Sequence, residues 1–210
     1  MRRLLALVSS IIFVDALLFT ALTPLVPSYA EEFDLSKTGA GLLVGAYGAG
    51  ALLGGIPGGL AAARWGPKRE VVGSLLLLAV ASFAFATAGS AAALGLARFV
   101  QGIASTATWA GGLAWISVEA PRERRGEVIG TTFGVAIFGA VLGPVFGGVA
   151  KYAGIGLSFG FVGVVTLAFA ALAMFARRSA MPGPSSPRSL RCTNSTSLAV
   201  PTISSAEEPT

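Results

Sequence analysis

The stretch Gly139-Ala-Val-Leu-Gly-Pro-Val-Phe-Gly-Gly148, GAVLGPVFGG, decides how this chain is read. It lies in an apolar run, 127–150, long enough to cross a bilayer, whose ~30 Å core takes about 20 residues of helix. Glycine and proline are poor helix formers in water. In lipid the balance differs, because helices associate by close packing and small residues let backbones approach. At about 100° per residue, Gly139, Gly143 and Gly147 share one helix face, and Gly130, Gly134 and Gly148 share another. A helix with two such faces can pack closely against two neighbours. Pro144 has no N–H, so it frees the carbonyl of Ala140 and is expected to bend the helix there.

The whole chain has the same character. Of its 210 residues, 54% are hydrophobic and 12% charged, and the mean hydropathy is +0.76. A soluble domain of this size cannot bury that much apolar surface. Apolar runs predict six spanning helices at about 4–29, 38–63, 71–89, 91–118, 127–150 and 153–176. Glycine rows recur in the second span, as Gly41/Gly45/Ala49 and Gly50/Gly54/Gly58.

The basic residues fall in clusters between the runs, which argues against nucleic acid as a partner despite a net charge of +5. Arg2, Arg3, Arg64, Lys68, Arg69, Arg122, Arg124, Arg125, Arg177 and Arg178 all fall on one side, and Lys37 and Lys151 on the other. The bias predicts that both termini are cytoplasmic. Arg2-Arg3 and Ser28-Tyr29-Ala30 also allow a signal-peptide reading. Asp15 interrupts that run, and an uncleaved first span keeps the charge pattern consistent.

With no histidine and a single cysteine, Cys192, no imidazole metal site, Ser–His catalysis or internal disulfide can be assembled. No metal, cofactor or enzymatic activity is expected. The chain divides into a membrane unit, 1–178, and a Ser/Pro/Thr-rich segment, 179–210, expected to be a disordered tail. Asn194-Ser195-Thr196 fits a glycosylation sequon on the side predicted to be cytoplasmic.

Four stretches, in order, resemble motifs of the major facilitator superfamily. Gly130, Gly139, Gly143-Pro144 and Gly147-Gly148 reproduce the spacing of the antiporter motif, which in that family lies on the fifth helix of proton-driven exporters. GLAAARWGPKR, between the second and third spans, resembles the signature cytoplasmic loop. Gly59, Arg64, Gly66, Lys68 and Arg69 match, while Ala63 stands where the family has an acid. RFVQG, from Arg98 to Gly102, resembles the fourth-helix motif with its intramembrane arginine. DALLFTALTPLVP, from Asp15 to Pro27, resembles the first-helix motif of twelve-helix drug exporters.

The resemblance implies the N-terminal half of a drug:proton antiporter, built as two inverted three-helix repeats. It implies alternating-access export of a small lipophilic compound, such as a drug, in exchange for protons. A second six-helix half would come from a separate chain or from a homodimer. The cytoplasmic loop would gate the inner side, and the expected location is the plasma (inner) membrane. A carrier of a sugar or amino acid, and a fragment or regulatory subunit without transport, are the alternatives.

Asp15 and Arg98 are the ionisable residues placed well inside the predicted spans, where each costs on the order of 3 kcal/mol. At 1.5 Å per residue both come out slightly above the midplane, so they are expected to meet or to share a cavity. Arg98, Gln101, Ser105 and Trp109 form one stripe on the fourth span. The functional expectation is a site for a proton or cationic substrate formed by Asp15, Arg98 and Gln101. The structural alternative is a static Asp–Arg pair joining the first and fourth spans.

Overall fold

The computed structural model describes residues 2–176; Cys192, the sequon at Asn194, Arg177, Arg178 and the expected tail at 179–210 lie outside the described residues. The described residues form seven α-helices: α1 Arg2–Ala21, α2 Val26–Glu32, α3 Lys37–Trp65, α4 Pro67–Ala86, α5 Ala91–Glu119, α6 Arg125–Ala153 and α7 Ile155–Phe175. Short 3-10 turns at Thr23–Leu25 and Arg122–Arg124 precede α2 and α6.

The first predicted span is therefore two helices. Pro24 and Pro27 cannot donate to the preceding turn, and the chain passes through a 3-10 turn closed by the Leu25 N–H on the Leu22 carbonyl at 2.8 Å. Residues Arg3–Glu32 still form one apolar unit of 30 residues. The other boundaries follow local chemistry. Ser36 and Ser90 cap α3 and α5 by accepting from Gly39 N and Ala93 N. Pro67 starts α4 at a position where a missing N–H costs nothing. The α3–α4 and α6–α7 turns pass through Gly66 at φ 87° and Gly154 at φ 101°, backbone that side chains rarely adopt.

Five units are long and apolar enough to cross a membrane: Arg3–Glu32, Lys37–Trp65, Pro67–Ala86, Arg122–Ala153 and Ile155–Phe175. This is a membrane protein. The fourth predicted span, α5, has 29 residues and ample length but is not among the five. Arg98, Gln101, Ser105, Thr106 and Thr108 lower its hydropathy, and α5 is the helix most enclosed by its neighbours. It is packed against α3 and α4, with lesser contacts to α1 and α6.

The helices pair out of chain order: α1 lies mainly on α6, α3 on α5, and α4 on both α5 and α7. Two glycine rows make the first two pairings possible. An added Cβ at Gly139, Gly143 or Gly147 of α6 would run into the backbone of Phe13, Leu17 or Ala21 of α1. One at Gly50, Gly54 or Gly58 of α3 would run into Phe99, Ile103 or Ala107 of α5. The partners on each helix advance in the same four-residue step. The two other rows have open space: nothing lies within 4 Å of a Cβ added at Gly41, Gly45, Gly130, Gly134 or Gly148. The expected second close neighbour of α6 is thus not found among the described residues.

The buried apolar residues form two clusters. One joins Val8, Ile12, Val71, Leu75, Trp115 and Ile116. The other joins Leu22, Leu25, Tyr29, Phe85, Leu94 and Phe159. Asp15, Ser82, Arg98, Gln101 and Ser105, all buried, occupy the level between them. Large apolar side chains are also exposed: Leu52 and Ile56 of α3 and Ile137 and Val141 of α6.

Candidate functional site

At that level a cavity of about 460 Å³ opens between α1, α3, α5 and α6. Asp15 and Ser105 provide polar groups in its lining, and Phe19, Tyr47, Trp109 and Phe133 provide aromatic rings. Phe19 and Tyr47 pack with ring centroids 5.1 Å apart, and Trp109 and Phe133 at 5.4 Å.

Asp15 is 2% exposed. Its Oδ2 accepts two hydrogen bonds from α5, from Ser105 Oγ at 2.6 Å and from Trp109 Nε1 at 2.8 Å. No donor among the described residues takes Oδ1. A carboxylate held at one oxygen by two donors is fixed in orientation, and its second oxygen stays available to a proton or a cation.

Arg98 makes no ion pair with Asp15, static or otherwise: the one ion pair among the described residues is Arg124–Glu127, at 2.8 Å. The reason is depth. Arg98 Nη2 donates to the Phe19 carbonyl at 3.4 Å, one helical turn further along α1 than Asp15. Its Nη1 donates to Gln101 Oε1 at 3.1 Å, and its guanidinium lies over the Tyr47 ring, 4.7 Å from the centroid. Tyr47 lines the cavity, whereas Arg98 and Gln101 do not. Gln101 Nε2 reaches Ser82 Oγ of α4 at 3.3 Å. Of the three residues expected to form the site, Asp15 is at the cavity, and Arg98 with Gln101 forms a buried cluster behind Tyr47. Ser105 and Trp109 were legible as members of the polar stripe, but nothing in the sequence assigned them to Asp15.

On α6 one of the two glycine rows meets a close neighbour and the other does not. The Ala140 carbonyl, freed by Pro144, accepts from Thr20 Oγ1 of α1 at 2.8 Å. Gly139, Gly143 and Gly147 face α1, while Gly130 and Gly148 face open space.

In the turn between α3 and α4, Gly66 reverses the chain and Arg64 and Arg69 are exposed. Nothing crowds Gly59. Lys68 Nζ caps α7, donating to the Met174 carbonyl at 2.8 Å and the Ala176 carbonyl at 2.6 Å. Lysine at a helix C-terminus answers both the orphan carbonyls and the helix dipole. Glu70 went unnoticed in the sequence because it directly follows this basic run. It is 6% exposed, and its Oε2 has no hydrogen-bond partner.

Residues 8–203 match the family description Major Facilitator Superfamily. The MFS-type transporter ppzB of Metarhizium rileyi is 29% identical over 143 residues, which are 66% of this chain and 30% of that protein. The quinolone resistance protein NorA of Staphylococcus aureus is 27% identical over 125 residues, 60% of this chain and 32% of NorA. Among solved structures, a bacterial homologue of the human lysosomal transporter Spinster, inward-facing and occupied, superposes with a TM-score of 0.77 at 20% identity. That match covers 84% of this chain and 44% of the homologue. A D-xylose–proton symporter superposes at 0.67 with 19% identity, covering 83% of this chain and 48% of the symporter. The chain thus spans about a third of the length of these curated relatives and less than half of the solved chains. The extent of the family match settles the class: this chain belongs to the Major Facilitator Superfamily, a family of membrane transporters and not of enzymes.

Proposed function

We propose that the chain is the N-terminal half of a plasma-membrane exporter that releases a small lipophilic compound in exchange for protons. One observation carries this reading: a buried carboxylate, Asp15, held at Oδ2 by Ser105 and Trp109, has its other oxygen free beside a cavity with aromatic walls. Such a site offers one charge and much apolar contact, which suits a lipophilic cation or a proton in alternation. Arg98, turned away behind Tyr47, leaves the cavity without a competing cation and biases Asp15 from a distance.

Several features support the finer architecture. α5, fourth in chain order, brings the spans to six, its polar stripe tolerated because the other helices shield it. The matched steps of the α1–α6 and α3–α5 contacts support two three-helix repeats of inverted topology. Thr20 on Ala140 and Thr106 on Ala51 stand at corresponding places in the two seams. The Lys/Arg bias supports cytoplasmic termini. The open rows on α3 and α6, with the loop around Gly59, Arg64 and Arg69, are the surface for a second six-helix half, a separate chain or a second copy.

The test uses two ions of one shape and opposite charge. Tetraphenylphosphonium is expected to bind the purified chain in nanodiscs, more weakly as the pH falls, and to lose binding in Asp15→Asn. Tetraphenylborate is expected not to bind. Equal binding of the two ions, or tetraphenylphosphonium binding untouched by Asp15→Asn, would sink the proposal.

A second reading is favoured by coverage, since the matched region is 30% of the fungal relative's length. In it the chain alone is a fragment or regulatory subunit with no transport. Proton-driven efflux by the lone chain in proteoliposomes excludes that reading.

A further inference from the structure

Pro144 leaves one backbone acceptor in α6 without its usual donor, and the structure supplies a substitute from another helix. Thr20 Oγ1 lies 2.8 Å from the Ala140 carbonyl. The nearest competing acceptors are on its own helix and more distant, the Ala16 carbonyl at 3.3 Å and the Leu17 carbonyl at 3.4 Å. Gly143 makes the approach possible, because an added Cβ there would collide with Thr20 Oγ1 itself. The bond is on the α1–α6 side of the cavity, since Ala140, Ala16 and Asp15 all line it.

The α3–α5 seam provides an internal control. Thr106 Oγ1 donates to the Ala51 carbonyl at 3.0 Å, beside Gly50 and Gly54 just as Ala140 is beside Gly139 and Gly143. The residue one turn on from Ala51 is Gly55, which keeps its N–H. The Ala51 carbonyl therefore already has its helical donor, and the threonine bond there is supplementary. At Ala140 the threonine is the replacement.

We propose that Thr20 is a positioning residue whose hydroxyl stands in for the N–H that Pro144 lacks, joining α6 to α1 at the cavity wall. The glycine–proline pattern on α6 is then incomplete by itself and needs a hydroxyl on the facing turn of α1. The inference is independent of what the cavity carries.

The test is a cycle of variants of the full chain in detergent. Thr20→Val keeps the shape and removes the hydroxyl, Thr20→Ser keeps the hydroxyl, and Pro144→Ala restores the missing N–H. Hydrogen bonds between membrane helices are worth about a threefold change in the unfolding equilibrium on average, and up to about twentyfold. Thr20→Val is expected to lose at least threefold, and Thr20→Ser and Thr106→Val less than twofold. In the Pro144→Ala background Thr20→Val is expected to cost nothing further. If Thr20→Val does not fold, the double variant with Pro144→Ala must fold.

A second readout observes the bond itself. Carbonyl-13C alanine with 15N valine labels Ala140–Val141 and otherwise only Ala79–Val80 and Ala199–Val200. The Ala140 carbonyl resonance is expected to move upfield in Thr20→Val and to stay in place in Thr20→Ser and Thr106→Val. Equal losses from Thr20→Val with and without Pro144, or an unmoved Ala140 resonance, overturn the proposal.

Discussion

Adding one methyl group to α3 should have opposite effects at two glycines nine residues apart. At Gly54 an added Cβ would lie 2.7 Å from Ile103 Cα and 2.8 Å from its carbonyl oxygen. Carbon atoms pack at ~3.5 Å or more, so the α3–α5 seam must open by roughly 0.8 Å. The obstacle is backbone, which cannot rotate away. Overpacking of this kind costs about 1–3 kcal/mol, partly offset by alanine's helix preference of ~1 kcal/mol over glycine. Gly54→Ala should therefore destabilise by up to about 2 kcal/mol, as much as a roughly thirtyfold shift in the unfolding equilibrium. At Gly45 nothing lies within 4 Å, so only the helix preference acts and Gly45→Ala should be neutral or stabilising. Unfolding of the purified chain by increasing SDS mole fraction in mixed micelles measures both. Equal effects at the two sites would refute the close seam and with it the packing role of the glycine rows.

Other outcomes follow from the same geometry. Gly66→Ala should cost about 1–3 kcal/mol, although nothing crowds the position, because φ 87° with ψ 148° is a conformation nearly confined to glycine. A thermal midpoint equal to that of the unmodified chain would contradict this. Lys68→Met removes the donor on the last carbonyls of α7 and should cost about 1 kcal/mol, seen as faster proteolysis near Phe175. Protection unchanged at that end would show that the cap contributes nothing. Glu70→Gln exchanges a buried carboxyl with an unpartnered oxygen for a neutral amide of the same size, so stability should hold or rise, by about 1 kcal/mol. A lower midpoint would reveal a partner that Glu70 depends on.

Much of the fold was legible because lipid imposes length and apolarity on each span, and those are properties of local sequence. The exceptions are local as well. The first span breaks at Pro24, which apolarity alone does not register. α5 was read as a span from its apolar run at 91–118, although its polar stripe keeps it out of the five units that length and hydropathy single out. For the site, the sequence identified the unusual residues more surely than their partners. Asp15 was conspicuous as an acid in an apolar run, and the freed Ala140 carbonyl followed from Pro144. That Ser105 and Trp109 meet Asp15, and that Arg98 meets Phe19, depends on the stagger of two antiparallel helices. One turn of error in that stagger exchanges the partners. Glu70 was missed because a charge next to Lys68 and Arg69 looks like part of a loop, whereas proline at the first helical position had already begun α4.

The out-of-order pairing also bears on how the protein is made. α1 leaves the ribosome first, but the donors that hold its carboxylate are on α5, Ser105 lying 90 residues beyond Asp15. Synthesis at about 5–20 residues per second puts roughly 5–18 s between them. Thr20 waits longer, since Ala140 follows it by 120 residues. Throughout that interval the first helix is a nascent segment with an unmet acid and glycine-sized grooves still to come. It must be kept by water at the insertion site or by a membrane insertase until α5 and α6 arrive. The assembly of this bundle is therefore timed by its last helices, and agents that slow translation between α1 and α6 should expose α1 to quality-control proteolysis.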